Sequence, residues 1–93
     1  MQDYIKKYLK YFGYGEQDLI FCEVCGKAGR VDRGGFDLHH IIFRSHGGSD
    51  EVENICCLCR KCHDAAHGHS KTFLHGQVIK QIHNDFLKRK SNG

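Results

Sequence analysis

Ninety-three residues, 40% of them hydrophobic and none of them Trp or Pro, make one small domain with a modest core. Six Cys and eight His in so short a chain point to metal as the missing source of stability. The formal net charge of +3 is a weak pointer to a polyanionic partner. Metal loading also changes it, since four thiolates on one Zn²⁺ add about −2 and a second divalent ion on neutral imidazoles returns about +2.

The first segment, "MQDYIKKYLKYFGYG", interleaves lysines with aromatics and carries no apolar signal core or small-residue cleavage site. Together with the initiating Met, this sets the expectation of a cytosolic, reduced chain rather than a disulfide-bonded secreted one. No apolar run approaches the roughly 20 residues that span a membrane.

Within that segment Tyr4, Ile5, Tyr8, Leu9 and Phe12 fall at helical spacing with Lys6, Lys7 and Lys10 on other faces, so residues 3–12 are expected to form an amphipathic helix ended by Gly13 and Gly15. Residues 19–26, "LIFCEVCG", read as a short strand running into a tight Cys turn. "RVDRGG" is turn material, and "FDLHHIIF", residues 36–43, is the best strand candidate. The loop "RSHGGSDEVE" shows no periodicity, and "NICCLC" is a short extended piece. Residues 60–68, "RKCHDAAHG", predict a short helix stopped by Gly68. From Ser70 a second amphipathic pattern places Leu74, Val78, Ile82 and Phe86 four apart. Gly76 weakens its first turn and moves the expected start towards Gln77, and the basic tail "LKRKSNG" is expected to fray.

Cys22-x-x-Cys25 and Cys59-x-x-Cys62 are two knuckles, each offering two soft ligands at the bite that tetrahedral Zn²⁺ requires. Such a site contributes an apparent ~10–16 kcal/mol, against roughly 3–5 kcal/mol from a core of this size, so the domain is expected to unfold without zinc. Cys56-x-x-Cys59 is also a CxxC; the pair Cys59/Cys62 is preferred because Cys62 lies at the start of the short helix next to a histidine. Cys56 and Cys57 then read as small buried apolar residues, and a redox CxxC fits less well than two spaced zinc pairs.

The adjacent His39 and His40 interrupt an apolar strand, while His63 and His67, four apart, share one face of a helix. His39, His63 and His67 supply three imidazoles, which leave positions open for water and a phosphate oxygen, as in a catalytic metal site. Alternation along a strand points His39 and His40 to opposite faces, so both serve one site only if the strand ends or bulges there. In that case His40 can take a proton from an attacking water near neutral pH. Phosphodiester hydrolysis is the natural reaction for such a pairing. His46, His69, His75 and His83 have no comparable partners in sequence and are taken as surface residues.

The order Cys-x-x-Cys, "DLHHII", Asn54, "LCRKCHDAAH" resembles the HNH endonuclease family, of the ββα-metal or His-Me finger type with four zinc-binding cysteines. The resemblance covers roughly residues 22–67 and implies an α+β domain. In it a small zinc-stapled ββα-metal core is flanked by an N-terminal helix within 1–15 and a C-terminal helix within 70–90. It makes His40 the general base and His39, His63 and His67 ligands of a catalytic divalent metal, with Cys22, Cys25, Cys59 and Cys62 on structural zinc. It also makes Asn54 the residue whose amide holds the loop so that His40 is oriented; by its own sequence context Asn54 is an ordinary turn residue. Many relatives have Asp where this chain has His39. An imidazole-rich site favours Zn²⁺, Ni²⁺, Co²⁺ or Mn²⁺, and a carboxylate one Mg²⁺. Asp37 shares a strand face with His39 and either orients a histidine from the surface or reaches the metal itself.

Arg44, Arg60 and Lys61 lie close to the histidines and are candidates for phosphate contact, with Lys6, Lys7, Lys10, Lys88, Arg89 and Lys90 extending the surface. They predict salt-sensitive DNA binding with little sequence preference. The family resemblance implies a bacterial or phage-encoded protein of a restriction, mobile-element or phage-packaging system, acting as a homodimer or with a partner. The competing readings are a non-catalytic zinc module that binds nucleic acid and an adaptor docking on a larger machine through its helices.

Overall fold

The computed structural model describes residues 2–15, 17–30, 33–68 and 75–92. Helix α1 (Asp3–Phe12) is followed by strands β1 (Ile20–Phe21), β2 (Ala28–Gly29) and β3 (Phe36–His40). Two single 3-10 turns, Arg44–His46 and Val52–Asn54, lead into β4 (Ile55–Cys59), α2 (Arg60–Ala66) and α3 (Gly76–Asn92). Among the described residues, three helices and two small antiparallel sheets, β1–β2 and β3–β4, thus make an α+β domain.

Helix α1 has the bounds its periodicity predicts. Asp3 in the first turn and Lys10 in the last both suit the helix dipole. Gly13 alone ends it, in the left-handed region at φ 75°, while the Tyr14 N–H reaches back to the Leu9 carbonyl at 2.8 Å. Its inner face buries Tyr8 and Leu9 with Ile20, Ile55, Leu58 and Ile79.

The first knuckle sits between β1 and β2, where Ile20 pairs with Gly29 and Phe21 with Ala28. Strand β2 has no sequence signature, since "KAG" is neither apolar nor alternating. Gly29 is required for packing: a Cβ there would lie 2.1 Å from the Phe36 ring. Glu23 follows Cys22, and its N–H donates to the Cys57 carbonyl at 2.9 Å, fastening the knuckle to β4.

In the second sheet Phe36 faces Cys59, His39 faces Cys56 and His40 faces Ile55. The strand expected over 36–43 stops at His40. Beyond it, the Asn54 side chain takes both the N–H and the carbonyl of Ile42, at 2.8 and 2.9 Å, so neither joins the β3–β4 ladder. Strand β4 is buried along its whole length, which explains its unbroken apolar run.

Helix α3 corrects the expected seam. Val78 is 47% exposed, whereas Ile79 and His83, one turn apart, are 1% and 0% exposed. The apolar spacing alone puts the face one residue off, because it counts His83 as polar surface. The helix also runs to Asn92, through the tail expected to fray. Ser70, Leu74, His69 and the side chain of Lys90 lie outside the described residues, as do Val31 and Asp32 of the "RVDRGG" turn.

Candidate functional site

The four cysteines of the two knuckles converge: one sulfur from each of Cys22, Cys25, Cys59 and Cys62 lies within 4.8 Å of the others. Cys25 and Cys59 approach to 3.6 Å between sulfurs, and the Cys25 N–H points at the Cys22 sulfur at 3.5 Å. Burial raises the Cys22 thiol, but the backbone N–H groups of Cys25, Cys59 and Val24 outweigh it and hold the thiol at about 7. A set of four sulfurs with N–H donors aimed at them fits zinc thiolate chemistry. Cys56 and Cys57 lie outside this cluster. Both are fully buried, and burial, reinforced by the nearby Glu23 carboxylate, pushes their thiols well up.

The imidazoles of His39, from β3, and of His63 and His67, from α2 and its C-terminal cap, form a second cluster within 4.8 Å. The Nε2 atoms of His63 and His67 face one another at 3.0 Å, an arrangement satisfied by one shared proton or one shared cation. His63 has its Nδ1 2.9 Å from Asp37 Oδ2. Asp37 therefore accepts from the Nδ1–H and turns the Nε2 lone pair towards the cluster, as a carboxylate behind a metal-bound histidine does. Burial, then the neighbouring His63, His67 and His40, lower the His39 imidazolium to about 4, which keeps that ring neutral and able to ligate. Phe43 braces the group, stacked on His67 at 5.4 Å and 4° and edge-on to His39 at 5.9 Å. Three imidazole nitrogens so arranged fit a borderline divalent cation.

His40 is half-buried beside this cluster. Because β3 ends there, His39 and His40 line the same cavity of about 280 Å³, with Tyr4, Leu38, Phe43, Arg44, His63 and His67. The Tyr4 ring meets His40 edge-on at 4.7 Å, and His40 Nε2 lies 2.8 Å from Asp50 Oδ1. Arg44 spans Asp50 with Nε to Oδ1 at 2.9 Å and Nη2 to Oδ2 at 3.0 Å, and its guanidinium carbon lies 5.2 Å from the Tyr4 ring centre. The bonds from Arg44 first, and from His40 second, hold the Asp50 carboxyl below its usual range.

Asn54, 7% exposed, makes three hydrogen bonds: its Oδ1 accepts from Ile42 N–H, and its Nδ2 donates to the carbonyls of Ile42 and Ser49 at 2.9 and 2.8 Å. It clasps the two ends of the 42–49 loop. Gly48 fits beneath it only as glycine, because a Cβ there would lie 1.7 Å from the Ile42 carbonyl oxygen.

Among the candidate phosphate contacts, Arg44 is engaged by Asp50, Arg60 lies 3.3 Å from Asp37, and Lys61 is exposed on α2. Lys7 pairs with Glu51 at 3.1 Å on the exposed side of α1. His46 and His75 are exposed.

His83 is a correction. It is fully buried, with Nδ1 2.7 Å from Glu23 Oε1 and Nε2 donating to the Val52 carbonyl at 2.6 Å. Glu23 also accepts from Tyr8 OH and from Cys57 N–H. This network ties α1, the first knuckle, β4 and α3 together beside the turn that carries Asn54. Its signal in the sequence was the spacing Ile79, His83, Phe86, which is helical once His is allowed in a core. Asp50 and Tyr4 were missed for a different reason. One lies in a loop without periodicity, and the other was absorbed into a helix face.

A profile of the HNH endonuclease family matches residues 22–69, slightly more than half of the chain. The chain is 50% identical over 38 residues to the probable mobile endonuclease C of Enterobacteria phage T4, covering 41% of this chain and 18% of that protein. It is 36% identical over 56 residues to the type IV methyl-directed restriction enzyme EcoKMcrA of Escherichia coli, covering 56% of this chain and 20% of that one. Anaredoxin of a Nostoc species is 36% identical over 55 residues, 58% of this chain and 67% of its own length. The chain thus spans about a fifth of the two nuclease-named relatives. No solved structure matches. With four knuckle cysteines in one cluster, a β-hairpin and helix bearing the histidines, and a family profile over the same residues, this chain belongs to the HNH endonuclease family.

Proposed function

We propose that this domain is a metal-dependent DNA endonuclease that hydrolyses phosphodiester bonds. The observation that carries the reading is that the ring of His40 and those of His39, His63 and His67 border one cavity. A divalent cation held by the three histidines would supply charge stabilisation at the phosphate and the leaving oxygen. His40 accepts the proton of the attacking water. Asp37 holds His63 in the ligating tautomer, and Asn54 keeps the 42–49 loop closed beside His40.

Arg60 and Lys61 face solvent near the histidines and would take phosphates of the bound strand, as would Arg44 at the cavity edge. Binding of this kind weakens steeply with salt and carries little base preference. One such centre cuts one strand per encounter, so a double-strand break needs a homodimer or successive nicks. The names of the relatives suit a mobile-element or restriction setting in a bacterial or phage-infected cytoplasm. The imidazole donors favour Zn²⁺, Ni²⁺, Co²⁺ or Mn²⁺ over Mg²⁺.

Metal stoichiometry tests the reading against that of a zinc module which only binds nucleic acid. Two sites per chain are expected, one tightly held by cysteines and one exchangeable. The double variant His39→Ala/His63→Ala should lose only the exchangeable ion and stay folded. A single site in the wild-type chain, lost with the cysteines, would favour the binding module.

A further inference from the structure

We infer that Asp50 is the positioning residue of His40, and that the Asn54 clasp acts on the general base through it. The inference rests on the nuclease reading and adds the route by which the loop controls the base. A histidine at the end of a strand has two free side-chain torsions and two tautomers, and only one combination presents a lone pair to water. Three contacts remove that freedom here. Asp50 Oδ1 sits 2.8 Å from His40 Nε2, which makes Nε2 the protonated nitrogen and leaves Nδ1 as the acceptor. The Tyr4 ring edge closes on the imidazole at 4.7 Å. Arg44 grips both Asp50 oxygens, at 2.9 and 3.0 Å, and lies over the same Tyr4 ring, so four side chains form a closed circuit.

Asp50 itself is anchored from the adjoining residue. Asn54 Nδ2 donates to the Ser49 carbonyl at 2.8 Å, next to Asp50 in the chain. The path is therefore Asn54 to Ser49, Asp50 and His40, with Gly48 packed under it against the Ile42 carbonyl. Arg44 acquires a second duty. Its fork on Asp50 holds the carboxylate in place, so it supports the base as well as facing incoming phosphate.

The test uses zinc-loaded full chain, wild type and the variants Asp50→Ala and Asp50→Asn, each checked for zinc content and thermal unfolding. Long-range proton–nitrogen NMR at a pH where the imidazole is neutral reads the His40 tautomer without reference to activity. Wild type should show a single tautomer protonated at Nε2, and Asp50→Ala a mixture. In plasmid cleavage Asp50→Ala should lower kcat by about 10–100-fold, part of the 10²–10⁴-fold a positioned base supplies, with no rise in KM, because loss of the carboxylate frees Arg44 for phosphate. Asp50→Asn, which retains an acceptor oxygen, should fall between the two. An unchanged His40 tautomer in Asp50→Ala, or a loss confined to KM and the salt slope, would overturn the inference. If the tautomer switches while folded wild type fails to cleave plasmid whichever divalent ion is added, the nuclease reading fails and the positioning of His40 by Asp50 stands.

Discussion

Replacing Asn54 by Ala removes three hydrogen bonds of 2.8–2.9 Å that close the 42–49 loop. At a net of about 1 kcal/mol each, the loop loses about 3 kcal/mol of closure energy. At 1.36 kcal/mol per tenfold, that is roughly a hundredfold shift from the closed towards the open loop. The zinc cysteines and β4 lie outside the clasp, so global unfolding should move less than loop opening. Amide exchange at Ile42 reads the closure directly, because its N–H donates to Asn54 Oδ1. Its protection should fall about a hundredfold in Asn54→Ala, and the cleavage rate should fall with it if closure is needed to aim His40. Unchanged Ile42 protection, or cleavage within twofold of wild type from a variant that has lost that protection, would refute the reasoning.

Chelating zinc, or replacing Cys25 or Cys59 by Ala, should abolish cooperative unfolding, because the metal site outweighs a core worth roughly 3–5 kcal/mol; Cys56→Ala should still bind one structural zinc per chain, measured by thiolate-to-cobalt absorption. His83→Ala removes the imidazole facing the buried Glu23 carboxyl, which keeps its bonds from Tyr8 and Cys57, and should destabilise the domain by about 3–5 kcal/mol in urea unfolding. Asp37→Ala releases the His63 tautomer and should weaken the exchangeable metal by about 10–100-fold in a competitive Ni²⁺ titration, with the structural zinc unaffected.

Much of the frame was legible because metal chemistry leaves fixed spacings. The two CxxC knuckles and the i, i+4 histidines depend on local geometry, and the structure brings each set together. Helix α1 was equally plain, since its apolar positions recur at helical spacing and Gly13 stops it. Strand β3 was overextended because Ile41, Ile42 and Phe43 look like strand residues. What ends the strand is a side chain from Asn54, and propensity does not encode a hydrogen bond to a residue that distant. The α3 face was misplaced because a histidine enters a core only with partners, and those partners, Glu23 and the Val52 carbonyl, come from elsewhere in the chain. Asp50 is hidden because it lies in a loop without periodicity. A loop carboxylate acquires meaning only when the turn brings it to His40. Spacing within one turn exposes the ligand pairs, whereas the partners of His83, Asp50 and Asn54 become visible only in the fold.

The most direct measurement is cleavage of supercoiled plasmid at low salt by zinc-loaded protein. Mg²⁺, Mn²⁺, Ni²⁺ and Co²⁺ would be added separately, with His40→Ala alongside. Nicking that requires an added divalent ion, and that disappears in a folded, metal-loaded His40→Ala protein, is the predicted result. Cleavage retained by His40→Ala, or none by folded wild-type protein with any of the ions, would contradict the account.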